Sequence, residues 1–350
     1  MAKIAYLLPA LTDSGLTRVP FWLSEYLSIK NEIEVFYFLE KTITRRSDKL
    51  LEFSVRTQKI SFSNFCADLN KFDIVHSHGL LPDLYLALFR NKIEALKITT
   101  IHGYHTDDLR HEKGFLYSLL IGNLWDLACQ KLDASICLTQ SMKKTYQEKG
   151  INNISVIFNG VEKPFVNISD HRDIHEDKLS RIYISTISSL NPRKGVEQIL
   201  ELLQKDKRYF FTAVGGSNSD IERLQGIARQ LGILERCNFI GYRKDPWRHL
   251  VNTDVFVFPS RSEGFGLVLA EAALVGIPIV CSDIPTFREM FSDEEVSFFK
   301  LNDIRDLCLK MSEIGLLRLK AVKAKNKALS CFEKSKMCEA YSNFYHSLCS

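Results

Sequence analysis

The 350-residue sequence lacks several patterns that mark common classes of protein. Its nine cysteines include no C-x-x-C pair, so the usual spacing of a zinc site is absent. Several of them, such as Cys137 and Cys281, lie inside apolar runs, which is typical of buried thiols in a reducing compartment. No G-x-G-x-x-G follows a strand and opens a helix, which disfavours a nicotinamide-dependent dehydrogenase.

Long hydrophobic runs and secretion signals are missing as well. No stretch approaches the roughly 20 apolar residues of a membrane-spanning helix, and the amino-terminal segment MAKIAYLLPALTDSG does not resemble a secretory signal. We therefore expect a cytoplasmic protein, an expectation that is compatible with peripheral contact at the inner face of the cytoplasmic membrane.

The charge is only mildly basic, with a net value of +4 and a pI of about 8.5. There is no run of five or more Lys or Arg residues, so the sequence predicts no nucleic-acid-binding arm. The slight excess fits a phosphate site or weak attraction to an anionic membrane. Charge alone favours the simpler interpretation of a solvated surface.

What the sequence does contain is an ordinary globular composition, with 45% hydrophobic and 25% charged residues. Its length predicts two domains. Short β-rich runs alternate with helical segments, and the alternation stops at a polar stretch and then restarts. The runs begin at Lys3, Ile33, Asp73, Lys97, Ala134 and Ser155 in the first half, and at Arg181, Tyr209, Asn238, Asp254, Ile277 and Val296 in the second.

This alternation predicts an α/β protein with two Rossmann-like, doubly wound parallel-sheet domains that face a cleft. The predicted domains are residues 1–165 and 181–331, joined by a linker at 166–180. The last segment, 332–350, has apolar residues at helical spacing and is predicted to be an amphipathic helix that packs on a core.

The most informative stretch is DVFVFPSRSEGFGLVLAEAALVG, residues 254–276. A strand ends at Pro259, a glycine-bearing loop follows, and a helix begins near Leu267. The free N–H groups of such a helix suit a pyrophosphate. Glu271 lies within the apolar sequence LVLAEAALV, where a carboxylate must be solvated or partnered. In this context contact with ribose hydroxyls is favoured over simple solvation.

The run E-G-F-G-L-V-L-A-E resembles the E-x7-E motif of retaining GT-B glycosyltransferases, specifically family 4 (glycosyl transferases group 1). Six further segments occur in the order expected of that family, so the resemblance covers nearly the whole chain. They are LPALTDSGL, DIVHSHG, TIHG, SVIFNGV, LNPRKG and FIGYRKD, followed by a closing helix at 332–345 that would return to the amino-terminal domain.

The resemblance implies a role for each matching residue of the donor site. Glu271 would bind the ribose hydroxyls, and Glu263 would contact the sugar. Lys194, with Arg193 beside it, would neutralise the leaving diphosphate. The remaining donor contacts would be backbone N–H groups of Gly264, Phe265, Gly266 and Leu267, a base-side position at Arg243, and a close approach of the first loop at Gly15.

The implied reaction is the transfer of a hexose from a nucleotide sugar, expected to be a UDP-sugar, to a hydroxyl of a glycan or lipid-linked glycan. The acceptor would lie in the amino-terminal domain, in cell-surface polysaccharide biosynthesis such as that of lipopolysaccharide. His102, Glu263 and Lys194 are the candidate catalytic residues. Retaining members of the family are thought to use front-face attack with no protein nucleophile; a covalent adduct on Glu263 is the less favoured alternative. No metal or cofactor is expected.

Two departures from the family pattern leave alternatives open. The arginine usually found five residues before the lysine is Ser189, with Ser188 ahead of it, and Asp13-Ser14-Gly15 replaces a more usual glycine pair. The loss of one cation motivates a non-catalytic subunit that binds a nucleotide sugar. A sugar-nucleotide epimerase of the same fold is a further alternative.

Acceptor specificity is expected from variable loops of the first half, around 11–18, 39–58 and 103–115. The last of these, GYHTDDLRHEKGF, is predicted to be a loop and is the candidate acceptor lid; the alternative is a disordered surface loop. His76 and His78 are predicted to be packing residues, because no third metal ligand is evident.

Overall fold

The computed structural model describes residues 2–39, 50–164, 181–250 and 253–349. The chain divides into two compact units, one made of residues 1–160 and 334–350 and the other of residues 161–333. The predicted linker at 166–180 lies outside the described residues.

The first unit is built on a seven-stranded parallel sheet in the order β3-β2-β1-β4-β5-β6-β7. Its strands are β1 Lys3–Ala10, β2 Glu32–Leu39, β3 Arg56–Lys59, β4 Ile74–His78, β5 Leu96–Ile101, β6 Ala134–Cys137 and β7 Ile154–Val156. The inner strands are fully buried runs, as expected when helices cover both faces of the sheet. The edge strand β3, RTQK, is short and polar and was not predicted.

Within the described part of this unit, five α-helices lie between the strands: α1 Gly15–Leu27, α2 Leu80–Leu88, α3 His105–Lys113, α4 Phe115–Cys129 and α5 Gln140–Glu148. The prediction of a loop over 103–115 is wrong, because residues 105–113 form α3. No Gly or Pro interrupts that segment, and Asp107 and Asp108 lie in its first turn, where acids favour helix formation.

The second unit carries a six-stranded parallel sheet in the order β10-β9-β8-β11-β12-β13. The strands are β8 Ile182–Ile187, β9 Tyr209–Val214, β10 Cys237–Gly241, β11 Val255–Phe258, β12 Ile279–Ser282 and β13 Ser297–Phe299. The helices are α6 Glu197–Lys205, α7 Asn218–Gln230, α8 Leu267–Val275, α9 Pro285–Met290, α10 Ile304–Ser312 and α11 Ile314–Cys331.

The last helix, α12 Lys334–Cys349, belongs to the first unit although it follows the second in sequence. Met337, Cys338 and Tyr341 are buried in the core that β1, β4 and α1 form. The predicted return of the carboxy-terminal helix to the amino-terminal domain is therefore confirmed. Among the described residues, no helix is both long enough and apolar enough to cross a membrane.

In each sheet the strand order reverses at one point, between β1 and β4 and between β8 and β11. Loops that leave the carboxyl ends of the two central strands diverge there, and ligands of open α/β sheets bind at such points. The predicted pair of doubly wound parallel sheets is confirmed, and its reversal points locate where a site can form in each unit.

Candidate functional site

The reversal point of the second sheet holds a buried cluster of three charged side chains. Lys194, in the loop after β8, forms an ion pair with Oε1 of Glu263, in the loop after β11. An Nη atom of Arg193 lies 3.5 Å from Oε2 of the same carboxylate. The three side chains are only 12%, 14% and 9% exposed. Arg193 and Lys194 are adjacent in sequence, and the structure brings both side chains to Glu263.

Hydrogen bonds hold this cluster in place. Burial disfavours a charged Glu263, yet the fields of Lys194 and Arg193 and hydrogen bonds from Lys194 and Ser260 outweigh it, so the pKa of Glu263 is below its ordinary value. The Ser260 hydroxyl donates to Oε1 of Glu263 at 2.6 Å. Arg193 donates to the backbone carbonyl of Ser262 at 2.6 Å. A carboxylate fixed in this way stays ionised and orients Lys194.

Close backbone approach explains two glycines beside the cluster. Gly195 has φ +63°, and a Cβ placed there would be 2.2 Å from the carbonyl oxygen of Pro259. Gly215 has φ +109°, and its Cβ would be 2.0 Å from the carbonyl oxygen of Ser188. The loops after β8, β9 and β11 therefore touch through their backbones. Sequence reasoning missed Gly215, although a glycine pair directly after the strand YFFTAV was a readable signal.

The glycine loop leads into α8 as predicted. Gly266 is the N-cap of α8 with φ +91°, and Leu267 is its first residue. Phe265 is 2% exposed and packs edge-on against Phe332, which fixes the loop between Gly264 and Gly266. The amino end of α8, with its partial positive charge, thus follows the Glu263 cluster directly.

Glu271 is half-buried on α8 and accepts a hydrogen bond of 2.9 Å from the indole nitrogen of Trp247. Trp247 is 6% exposed and packs on Phe256. Its hydrogen bond orients the Glu271 carboxylate, and sequence reasoning did not find that partner.

Two further positions bear on the donor-site prediction. The Ser189 hydroxyl, which replaces the usual arginine, is enclosed and has no hydrogen-bond partner among the described residues. Arg243 follows β10 and is exposed, with its guanidinium donating to the carbonyl of Tyr242 at 2.9 Å. Since β10 is the edge strand of the sheet, the structure places Arg243 away from the Glu263 cluster.

In the first unit, two predicted site residues follow strands at or next to the other reversal point. Gly15 begins α1 after β1, and the chain reaches it through a capping box between Ser14 and Thr17. His102 follows β5, and its Nε2 lies 2.9 Å from Nδ1 of His78 at the end of β4. Burial, with a smaller contribution from His105, lowers the pKa of His102, so the imidazole is neutral at neutral pH. Sequence reasoning missed the pairing of the two histidines.

Comparisons with known proteins bear on the family and the fold. A family model described as Glycosyl transferases group 1 matches residues 167–328, and one described as Glycosyltransferase Family 4 matches residues 36–163. An O-antigen biosynthesis glycosyltransferase of Escherichia coli, WclY, is 28% identical over 360 residues, covering 99% of this chain and 98% of the relative. The chain is a GT-B glycosyltransferase.

Solved structures share the fold of this glycosyltransferase along its whole length. Sucrose-phosphate synthase from Thermosynechococcus elongatus superposes with a TM-score of 0.81 at 15% identity, covering 99% of each chain. Anabaena HepE, solved in complex with UDP, superposes with a TM-score of 0.80 at 15% identity, covering 99% of this chain and all of that one.

Behind His78, the glycosyltransferase has a buried polar chain that ties α12 to the sheet. Nδ1 of His76 lies 2.6 Å from the Tyr345 hydroxyl, and Nε2 lies 2.8 Å from the Thr100 hydroxyl. Tyr341 and Tyr6 extend the chain through bonds to Thr100 and Tyr345. Burial lowers the pKa of His76 to about 3. His76 is thus a packing and hydrogen-bonding residue, as predicted.

A second buried acid supports the same edge of the sheet. Asp83 accepts hydrogen bonds from Ser77 at 2.5 Å, Thr99 at 2.7 Å and the Trp125 indole at 2.6 Å. Burial raises its pKa to about 6 against these bonds. In the described part of the glycosyltransferase, no group of three His, Cys, Asp or Glu side chains is placed to hold a metal ion.

Proposed function

We propose that this glycosyltransferase moves a hexose from a UDP-sugar to a hydroxyl of a glycan or lipid-linked glycan, with retention of anomeric configuration, in cell-surface polysaccharide biosynthesis. The observation that carries the proposal is the buried cluster of Lys194, Arg193 and Glu263 directly before the amino end of α8. It offers fixed positive charge where a leaving diphosphate develops negative charge.

Relatives support the choice of pathway and donor. WclY is named for O-antigen biosynthesis, and a lipopolysaccharide 1,6-galactosyltransferase of Salmonella typhimurium is 27% identical over 158 residues, covering 43% of each chain. HepE is solved with UDP and with UDP-glucose. We extend these activities to this chain as the proposal, together with a cytoplasmic location and peripheral contact with a membrane.

The proposed mechanism uses the residues as follows. Glu271 binds the ribose hydroxyls, Glu263 contacts the sugar, and Lys194 stabilises the β-phosphate as its bond to the anomeric carbon breaks. The acceptor hydroxyl attacks from the face that the phosphate leaves, and the departing phosphate takes its proton. Because that route needs no protein nucleophile, we assign none. His102 is neutral, so it would contact a sugar hydroxyl by hydrogen bonding and carry no charge.

In this proposal the nucleotide sugar is a substrate, and no cofactor or metal takes part. Ser189 offers a hydroxyl where the usual arginine would offer charge. The amides of Gly264, Phe265, Gly266 and Leu267 would then share the diphosphate with Lys194. The absent arginine keeps the non-catalytic nucleotide-sugar-binding subunit as the competing function.

The first test is a thermal-shift assay with UDP, GDP, ADP and CMP. Ligand at about a hundred times its Kd adds roughly 2.7 kcal/mol of stability, which raises the Tm by several degrees. We expect UDP to give the largest shift and Glu271→Ala to reduce it. Glu222→Ala, an exposed acid on α7, is the matched control and should leave the shift unchanged.

Activity assays separate the remaining alternatives. Transfer from a UDP-sugar to a glycan acceptor supports the proposal, and a UDP-sugar epimerised without acceptor supports the epimerase. Binding of UDP with no turnover in any acceptor screen supports the non-catalytic subunit. If no nucleotide shifts the Tm, the donor-site assignment is wrong.

A further inference from the structure

The surface helix α4 is inverted relative to an ordinary amphipathic helix. Its buried side is small or polar: Ser118, Gly122, Asp126, Ala128 and Cys129. Its large apolar side chains point outward and are between 43% and 73% exposed: Phe115, Leu116, Tyr117, Leu119, Leu120, Leu124 and Leu127. A globular protein that folds alone puts the opposite set inside.

Specific contacts fix the helix in this orientation. A Cβ on Gly122 would lie 3.2 Å from the Cα of Thr106, so α3 packs closely on this point of α4. Asp126 is bonded to Nδ1 of His105 at 2.8 Å and to the ammonium of Lys149 at 2.7 Å. The helix therefore cannot rotate to bury its leucines without breaking a buried ion pair and a tight helix contact.

The outward face also lacks the charges that usually solvate exposed leucines. Residues 114–125 contain no charged side chain. On α11, by comparison, the exposed Leu316, Leu319 and Val322 are interspersed with the exposed cations Arg318 and Lys323. We read α11 as a solvated basic face, whereas the outward face of α4 requires an apolar cover.

Cations flank the apolar face of α4 at both ends. The exposed Arg110 guanidinium lies 5.3 Å from the centre of the Phe115 ring at the start of the helix, and the exposed Lys131 follows its last residue by two positions. The helix's acid, Asp126, is turned inward and paired. An apolar face with cations at its ends matches an anionic lipid surface.

Area alone does not separate a bilayer from a second copy of the chain. The seven side chains expose roughly 600 Å² if each offers about 150–200 Å² in full. A stable homodimer buries about 800 Å² per partner, of which about 450–520 Å² is apolar. The cations at the two ends of the face favour the anionic bilayer, and a second copy is the alternative that light scattering tests.

We propose that the outward face of α4 is a membrane-docking surface that inserts its leucines and aromatic rings into the interface of an anionic lipid bilayer. It gives a location to the membrane contact of the proposed function, on which it rests, but it lies outside the donor site and does not depend on the transfer reaction. Because α3 and α4 follow His102 directly in the chain, docking would hold a lipid-borne acceptor near the segment between β5 and α4.

Flotation of the full chain with vesicles tests this docking surface. The vesicles contain phosphatidylethanolamine and phosphatidylglycerol at about 3:1. We expect the wild type to float with the vesicles and the triple variant Leu116→Ser, Leu120→Ser, Leu124→Ser to partition at least about tenfold more weakly. The triple variant Leu316→Ser, Leu319→Ser, Leu329→Ser on α11 is the matched control and should partition like the wild type.

Two further readouts keep the test decisive. A Leu120→Trp variant should show a blue-shifted indole emission when vesicles are added, and an unchanged Tm shift with UDP in the α4 variant would show that the donor site is intact. The proposal is overturned if the wild type does not float or if both triple variants lose binding equally. It is also overturned if light scattering shows a dimer of the wild type that is monomeric in the α4 variant, with no vesicle binding by either.

Discussion

The two units present the same kind of reversal point with opposite electrostatics. In the second unit, Lys194, Arg193 and Glu263 form a charged cluster whose members stay ionised because each neutralises another. In the first unit, burial lowers the pKa of His78 and His102, with smaller contributions from neighbouring histidines, and keeps both imidazoles neutral. A buried site can therefore be held either by compensated charge or by suppressed ionisation.

This difference predicts which change destabilises each unit. A compensated cluster is sensitive to the loss of one partner, since the remaining charge is then buried alone. A neutral, hydrogen-bonded cluster is sensitive to protons, because protonation puts charge where there is no solvent. The predictions below test this contrast, beginning with the largest expected effect.

Replacing Glu263 with alanine should give the largest loss. Lys194 and Arg193 would remain nearly buried with no carboxylate, and breaking such a pair costs about 3–5 kcal/mol of unfolding free energy. The measurement is urea unfolding with hydrogen exchange followed separately in β8 and β11 and in β4 and β5. Glu263→Gln, which keeps the size of the side chain and an oxygen for Ser260, should lose less.

The loss from Glu263→Ala should appear in β8 and β11 and leave β4 and β5 nearly unchanged. A change in unfolding free energy below about 1 kcal/mol is in the range of exposed ion pairs and would mean that the three charges are not energetically coupled. The second unit would then not depend on compensated charge.

Mild acid should weaken the first unit before the second. The folded pKa of His76 is about 3, below its unfolded value of 6.5, so the folded state binds fewer protons. Its contribution is complete above pH 6.5 and is lost as the pH falls toward 3, at about 1.4 kcal/mol per pH unit. Burial shifts the pKa of His78 in the same direction.

Asp83 opposes this trend, since its raised pKa of about 6 makes the fold gain stability as the pH falls through that value. Two histidines still outweigh one carboxyl between pH 6 and pH 4. Glu263, with a lowered pKa, loses its contribution only below its unfolded value of 4.5. Thermal melts at pH 7 and pH 5 measure the effect: we expect the first unit to lose stability at pH 5 and the second unit to change little.

A tryptophan variant assigns those melts to one unit. Trp247→Phe removes the tryptophan of the second unit and leaves Trp22 and Trp125 to report on the first. Equal acid sensitivity of hydrogen exchange in the two sheets would remove the proposed contrast.

Removing a hydrogen bond of the carboxy-terminal helix α12 should destabilise the first unit by a smaller amount. Tyr345→Phe removes the hydroxyl that serves both His76 and Tyr6, leaving a buried imidazole nitrogen unpartnered at a cost of about 1–3 kcal/mol. Tyr341→Phe, which loses one bond to Thr100, is the matched control and should cost less. Chemical denaturation measures the unfolding free energy of both variants. Equal losses would show that His76 is not the centre of this chain of buried hydrogen bonds.

These sites differ in how far the sequence reveals them. The E-x7-E segment carries its own context, since strand, glycine loop and helix are contiguous, so Glu263, Gly266 and Glu271 could be placed from the sequence. The ion pair from Lys194 to Glu263 joins residues 69 positions apart, and no local pattern encodes it. The bonds from His76 to Tyr345 span 269 positions and depend on the return of α12.

Secondary structure shows the same limit. Buried strands such as β1 and β11 contain continuous apolar runs and were predicted. β3 is the edge strand of its sheet and pairs with a strand on one side only, so it is more exposed than the inner strands. Its polar composition therefore resembles that of a loop. Helix α3 was missed because its residues are nearly all polar, and its packing on α4 at Gly122 is a tertiary contact that the local sequence does not show.

Arg243 provides the smallest predicted effect and separates a stability role from a binding role. Its side chain is exposed and bonds only with a neighbouring carbonyl in the contacts described, so Arg243→Ala should change the unfolding free energy by less than about 0.5 kcal/mol. If the base binds beside β10, the same variant should weaken the UDP-induced Tm shift while Arg229→Ala, an exposed α7 control, does not. An unchanged shift would remove Arg243 from the donor site and confine that site to the loops of β8 and β11, where compensated charge is already assembled.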